Sequence, residues 1–159
     1  NCGLASRDCA VKVAMMTRKP PTKTDGTQLR RGWTTGACAT AATKAALMGP
    51  WGGTFPSVVS ITLPKGETPE LVVVGAGQCD GWVGAGIVKD AGDDPDVTHG
   101  VTVIVRVARS MGGVVFKAGA GVGTVTKAGL PIGVGEPPIN PVPRSMMDEI
   151  VSDMASEYV

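Results

Sequence analysis

The run of small residues from Ala37 to Met48 constrains this chain more than any other feature. It consists of alanine and threonine with Cys38, Lys44, Leu47 and Met48, so as a helix its backbone can approach another surface closely. Arg30-Arg31-Gly32-Trp33-Thr34-Thr35-Gly36 leads into it. The hydroxyl of Thr34 or Thr35 can cap the first turn by accepting from a free amide, and Gly36 adds no side chain there. Two readings are open. One is a capped core helix packed tightly on a sheet. The other is an anion site made of bare amides, the positive end of the helix dipole, Arg30 and Arg31. Gly49-Pro50 is expected to stop the helix near Met48, because glycine suits a left-handed cap and proline cannot continue the ladder.

Around this helix the chain has 159 residues, the length of one domain. Apolar residues are 43% but aromatics only 4%, so the core must be built from Val, Ala, Leu, Ile and Met. A formal charge of +1 argues against broad electrostatic capture of nucleic acid, and no such partner is expected. Cys2, Cys9, Cys38 and Cys79 form no CxxC pair and no histidine cluster accompanies them, so no protein-bound metal is expected. No apolar run has the length of a membrane span and no signal-peptide core is present, which sets the expectation of a cytoplasmic chain with no membrane partner.

Residues 1–28 read as a peripheral arm, in which Ala10 to Met16 could be a strand or a helix turn; residues 29–159 read as the domain. Val58 to Leu63 alternates as a half-buried strand, Pro64 to Glu67 is a turn, and Glu70 to Val74 is a second strand. Gly81 to Val88 is expected to be extended. Val101 to Val107 is the clearest strand, with Val101, Val103, Val105 and Val107 on one face. Val114 to Lys117 should continue the sheet after the Met111-Gly112-Gly113 turn. Asn140 caps a last helix with Pro141 in its first turn, and Met147, Ile150, Val151, Met154 and Tyr158 form its apolar stripe. Helices near the two ends bracket four or five strands without strict strand-helix alternation. That order predicts an α+β fold, a two-layer sandwich with a mostly antiparallel or mixed sheet and helices on one face.

Two further stretches could carry chemistry. In Lys89 to Gly100, Asp90, Asp93, Asp94 and Asp96 would repel one another unless solvent, a cationic ligand or a metal offsets their charge. The spacing fits neither a calcium loop nor a zinc site. This leaves a solvated loop, or a carboxylate site for a cation or for ligand hydroxyls. His99 is the only histidine, so a histidine-dependent proton transfer would have to use it. Gly119 to Pro131, followed by Gly135 to Arg144, is glycine-rich and then proline-stiffened. Gly119-Ala120-Gly121-Val122-Gly123 does not match the dinucleotide fingerprint and no GK[ST] phosphate loop is present. Glycines such as Gly121 and Gly123 would let backbone amides meet a ligand, and Lys127 would add a charge.

These three stretches together resemble the CbiD family, the cobalt-precorrin-5B C(1)-methyltransferases of anaerobic cobalamin biosynthesis. The resemblance rests on Thr34 to Ala39, on Lys89 to Gly100, and on Gly121 to Thr126 continuing through Gly129-Leu130, Gly135-Glu136-Pro137, Ile139-Asn140-Pro141 and Pro143-Arg144. Pro138 stands where a small residue such as alanine is expected. The resemblance implies methyl transfer from S-adenosylmethionine to ring carbon C1 of a cobalt-corrinoid precursor, the cobalt belonging to the substrate. It also implies a longer family chain with a glycine-rich second half, so a missing C-terminal half or another subunit is an expected partner.

Residue chemistry then suggests roles. Thr34, Thr35 and Gly36 with Arg30, Arg31, Lys127 and Arg144 could meet the substrate's carboxylates. Asp93, Asp94 and Asp96, with Gly121 and Gly123, could meet the cationic donor. Asp90 or His99 could accept the proton released after methylation. Two other classes remain open on these residues: a non-catalytic corrinoid- or anion-binding module, and a small-molecule kinase-like domain using the helix start for phosphate.

Overall fold

A computed structural model describes residues 9–16, 30–129 and 131–158. Six strands and two helices follow one another as β1 (Cys9–Met16), α1 (Thr35–Gly52), β2 (Val58–Ser60), β3 (Glu70–Cys79), β4 (Trp82–Val88), β5 (Thr102–Arg109), β6 (Val115–Ala118) and α2 (Pro141–Tyr158). The strands form one sheet in the order β2-β3-β4-β5-β1-β6. Neighbours are antiparallel except β1 and β6, so the sheet is mixed and the fold is α+β.

Alternation decides which way each strand faces. Val83, Ala85 and Ile87 of β4, Val103, Val105 and Val107 of β5, and Val11 and Val13 of β1 are buried on one side. Helix α1 lies on that side against β3, β4 and β5, and α2 packs on α1. The small residues therefore end up buried all round the helix: Ala37, Cys38, Ala39, Thr40, Ala41, Ala42, Thr43, Ala45, Ala46 and Leu47 are all covered. Thr40 and Thr43 turn their hydroxyls back to the carbonyls of Gly36 and Ala39, which removes the cost of burying them. At the start of α1, Gly36 lies so close to α2 that a methyl group there would stand 2.5 Å from Pro143 Cγ. The first turn is thus partly covered by α2, with Thr35 and Gly36 half-buried and Thr34 exposed.

Several expectations change. Residues 9–16 are not peripheral: β1 sits inside the sheet between β5 and β6, and Val11 and Val13 belong to the core. β6 consequently pairs in parallel with β1 instead of turning back on β5. Gly49-Pro50 does not end α1. The helix runs on to Gly52 and closes at Gly53, whose φ of 82° is left-handed and whose N–H reaches the Gly49 carbonyl at 3.1 Å. Continuing past the proline seats Trp51 against the core, and Gly49 accepts the Phe55 ring where a Cβ would lie 2.2 Å from it. β3 extends to Cys79 with a bulge between Val74 and Gly77, and Asp80-Gly81 turns it directly into β4. Both turn residues have positive φ, the geometry of a two-residue hairpin. Among the described residues, no helix is long and apolar enough to cross a membrane.

Close packing on both sides of α1 makes its alanines intolerant of volume. Ala45→Leu should cost about 1–3 kcal/mol of stability, whereas the same change at exposed Ala128 should stay within about 0.5 kcal/mol. Urea denaturation midpoints of the two variants test this.

Candidate functional site

Strand β4 ends with an anomaly. Its inward positions Val83, Ala85 and Ile87 are followed, two residues on, by Lys89. The ladder carries on past the strand end: Lys89 N–H donates to the Val101 carbonyl at 2.8 Å and Gly100 N–H to the Lys89 carbonyl at 2.8 Å. Lys89 therefore takes the next core-facing position and is only 1% exposed. Its ammonium reaches the Asp96 carboxylate, Nζ to Oδ2, at 2.5 Å. Asp96 in turn accepts at Oδ1 from the Thr98 backbone N–H at 2.7 Å and from the Thr98 hydroxyl at 2.5 Å. The Lys89 hydrogen bond, with help from Thr98, holds the Asp96 carboxyl well below the usual carboxylate range.

The segment before α1 crosses this loop. Trp33 N–H donates to the Asp90 carbonyl at 2.7 Å, and Asp93 N–H to the Arg30 carbonyl at 2.9 Å. Arg31 and Gly92 form an antiparallel bridge between these bonds. Contact is so close that a Cβ on Gly32 would stand 1.8 Å from the Ala91 carbonyl carbon, and one on Gly92 would stand 2.0 Å from the Arg30 oxygen. Only glycine fits at either place; Gly92 also has a φ of 63°. Arg30 grips the Asp90 carboxylate at two points, Nη1 to Oδ2 at 2.7 Å and Nη2 to Oδ1 at 2.8 Å. Its backbone N–H donates to Asp93 Oδ2 at 2.5 Å, and Arg31 pairs with Glu67. Thr34 caps α1, its Oγ1 accepting from Ala37 N–H at 3.1 Å.

Between the crossing segment and the acidic loop lies a cleft of about 600 Å³, lined by Arg30 to Thr34, Lys89, Ala91 and Asp93 to Asp96. Two of the three stretches singled out in the sequence thus form one site. Asp93 and Asp94 are exposed at it, beside half-buried Trp33. The other candidates stand differently. Asp90 and His99 do not line the cleft. Asp90 accepts from Arg30 and from Gly92 N–H at 2.8 Å, and His99 Nδ1 accepts from Ala91 N–H at 3.1 Å. That bond places the ring proton on Nε2 and occupies the lone pair a base would use. Thr35 and Gly36 open the helix beneath Pro143.

Gly121, Gly123, Lys127 and Arg144 also lie outside this cleft. Gly121, with a φ of 76°, makes room for the Met15 carbonyl, 2.5 Å from where its Cβ would be. Gly123 has open space around it. Lys127 is exposed on a shallow depression with Thr124, Thr126 and Pro138. Arg144 gives its donors to the Ile139 and Pro137 carbonyls, at 2.9 and 3.0 Å, and to Glu136 at 2.8 Å. It also lies 5.3 Å over the Phe116 ring, so it fastens the proline-rich loop to α2 and β6. Cys38 is buried in α1 and burial pushes its thiol up to about 11, which makes it inert at neutral pH. Among the described residues no group of three or more His, Cys, Asp or Glu side chains is placed to hold a metal.

Lys89 carried no role in the sequence reading. The period of β4 marks it, because residue 89 continues the inward series 83, 85, 87.

The cleft and both segments that build it fall within the region matched by the CbiD family model, residues 22–159. The chain belongs to the CbiD family. Curated members similar to it are each named cobalt-precorrin-5B C(1)-methyltransferase. The one from Brucella anthropi is 62% identical over 133 residues, 82% of this chain and 36% of its own. That from Rhodospirillum rubrum is 55% identical over 80% of this chain and 36% of its own. That from Paramagnetospirillum magneticum is 55% identical over 84% and 38%. This chain therefore spans little more than a third of the CbiD relatives it matches. No solved structure matches it.

The buried ion pair makes an asymmetric prediction. Asp96→Asn leaves a buried ammonium without its counter-charge and should cost about 3 kcal/mol at neutral pH; Lys89→Met leaves a carboxylate that water can reach and should cost less. The double variant should recover most of the loss of Asp96→Asn. The pH dependence has a fixed sign. A depressed folded-state pKa contributes stability above the unfolded value, about 3.9, and that contribution is lost as pH falls toward the folded value. The gap between wild type and Asp96→Asn in urea denaturation should therefore be constant from pH 8 to 5 and close below pH 4.

Proposed function

We propose that this chain serves the transfer of a methyl group from S-adenosylmethionine to ring carbon C1 of cobalt-precorrin-5B. The observation that carries this reading is the family match over residues 22–159, which includes every residue lining the cleft. The curated relatives bear that activity in their names.

The chemistry of the cleft suits the donor. S-adenosylmethionine is a sulfonium cation, and Asp93 and Asp94 offer exposed carboxylates beside the indole of Trp33, whose face attracts cations. Methyl transfer needs no side-chain nucleophile. A carbon of the corrinoid forms the new C–C bond, the S–CH₃ bond breaks, S-adenosylhomocysteine leaves as a neutral thioether, and the macrocycle releases to water the proton that balances the lost sulfonium charge. What the protein contributes is alignment and exclusion of water. Asp90, Arg30 and His99 act in this scheme as positioning residues: their hydrogen bonds hold the crossing segment and the acidic loop in register. Lys89 and Asp96 hold the loop's far side. A corrinoid-binding module without catalysis is the second reading, favoured by the position of Asp90 and His99, the candidate proton acceptors, outside the cleft.

Calorimetric titration separates these readings. S-adenosylmethionine should bind this chain and a full-length family member, and Asp93→Asn or Asp94→Asn should weaken it roughly tenfold. Unchanged donor affinity and turnover in both variants would remove the donor role of these carboxylates. Binding of ATP without binding of donor or corrinoid would overturn the methyltransferase reading altogether.

A further inference from the structure

The cations expected to meet substrate carboxylates are largely spoken for: Arg30 is held by Asp90, Arg31 by Glu67 and Arg144 by Glu136. Unneutralised cations are found elsewhere, on the side of the sheet opposite α1. Arg106 of β5 stands directly across from Lys12 of β1, and Lys12 directly across from Lys117 of β6. Like charges placed opposite one another in a sheet destabilise it. Among the described residues no carboxylate lies within ion-pair distance of any of the three. Arg106 and Lys117 are exposed and Lys12 is half-buried. With strands about 4.8 Å apart, the three backbone positions lie along a line of about 10 Å.

The same row continues across the sheet without side chains, through Gly84 opposite Arg106 and Gly77 opposite Gly84. An open cleft of about 720 Å³ lies there, with Trp82, Ile104 and Arg106 among its walls. The next row is apolar, Val74, Gly86, Ile104 and Ala14 facing one another in register. An apolar row beside a line of cations that have no carboxylate partner among the described residues is complementary to a largely apolar molecule with carboxylates around its rim.

We propose that this open sheet face binds the corrinoid, with Arg106, Lys12 and Lys117 pairing its peripheral carboxylates. The inference rests on the proposed function for the identity of the ligand. It adds that the substrate surface lies on the sheet and is separate from the cleft of Asp93 and Asp94. Each carboxylate bound there relieves cross-strand repulsion as well as forming an ion pair, so binding and sheet stability are coupled.

Cobyrinic acid, a stable corrinoid bearing free carboxylates, and its fully methylated ester are the probes, titrated into this chain and followed by absorbance. The acid should bind and the ester should bind at least roughly tenfold more weakly. Arg106→Gln and Lys117→Gln should each weaken the acid several-fold, and Lys65→Gln, at an exposed lysine of the turn before β3, should leave it unchanged. The acid should also raise the chain's Tm, and by less in Arg106→Gln than in the wild type. Absence of acid binding, equal binding of acid and ester, or equal loss of binding in Lys65→Gln and Arg106→Gln would overturn the proposal. Methyl transfer by a full-length family member is assayed separately. Failure there with acid binding at Arg106 intact would count against the proposed reaction alone; normal methylation with corrinoid binding insensitive to Arg106 would count against this surface alone.

Discussion

The site depends on one close crossing. Residues 30–33 pass over residues 90–93 at backbone contact, with Gly32 and Gly92 at the two points where any Cβ would collide with the other strand. Backbone bonds from Trp33 to Asp90 and from Asp93 to Arg30 close the contact, and the Arg30–Asp90 pair seals its exposed edge. Because α1 begins at Thr35 and β4 ends at Val88, the crossing fixes the start of the helix against the end of the strand. Everything that lines the cleft hangs from these two anchored ends. A buried lysine at the next inward position past the end of β4 then draws the acidic loop back over the core through Asp96. Charges that would repel one another in isolation are thus distributed: Asp90 faces Arg30, Asp96 faces Lys89, Asp93 accepts from the Arg30 backbone, and Asp94 is exposed.

Much of the framework was legible because it is local. The small-residue helix with its Thr34 cap, the alternating valines of β5, and the apolar stripe of α2 each follow from short-range pattern and burial on one face. What was not legible depends on distant partners. The ambiguity of residues 10–16 is resolved by β5, some 90 positions away in the chain, and only that pairing makes β6 parallel to β1. α1 passes Gly49-Pro50 because Trp51 and Phe55 find apolar seats that a local rule about proline does not weigh. The Asp80-Gly81 turn was available as a hairpin signal. The bulge before Gly77 masks it by breaking the alternation leading into it.

At the site, residue types pointed to the right loop but not to the division of labour. Four aspartates signal unbalanced charge, yet composition cannot say which of them meets an arginine of the same chain. Asp90 and His99 look like proton acceptors in sequence; in the structure they lie outside the cleft, Asp90 accepting from Arg30 and Gly92 and His99 Nδ1 from Ala91. Arg144 looks like a substrate cation and fastens a loop. Conversely, Arg106 and Lys12 are unremarkable as single letters in two strands. Their facing register turns them into a charged row, which no reading of either strand alone contains. Two separate surfaces follow, an acidic cleft suited to a cation and a basic sheet face suited to a polycarboxylate. That division is the one the proposed reaction between a sulfonium donor and an anionic macrocycle would use.

The most direct test of this account is native-state hydrogen exchange on Gly32→Ala. The crossing should open, so the amides of Trp33 and Asp93 should lose protection by at least roughly tenfold, while those of β4 and β5 keep theirs and donor binding in the cleft weakens. Unchanged protection at Trp33 and Asp93, or unchanged donor binding after their protection is lost, would contradict the claim that this crossing builds the site.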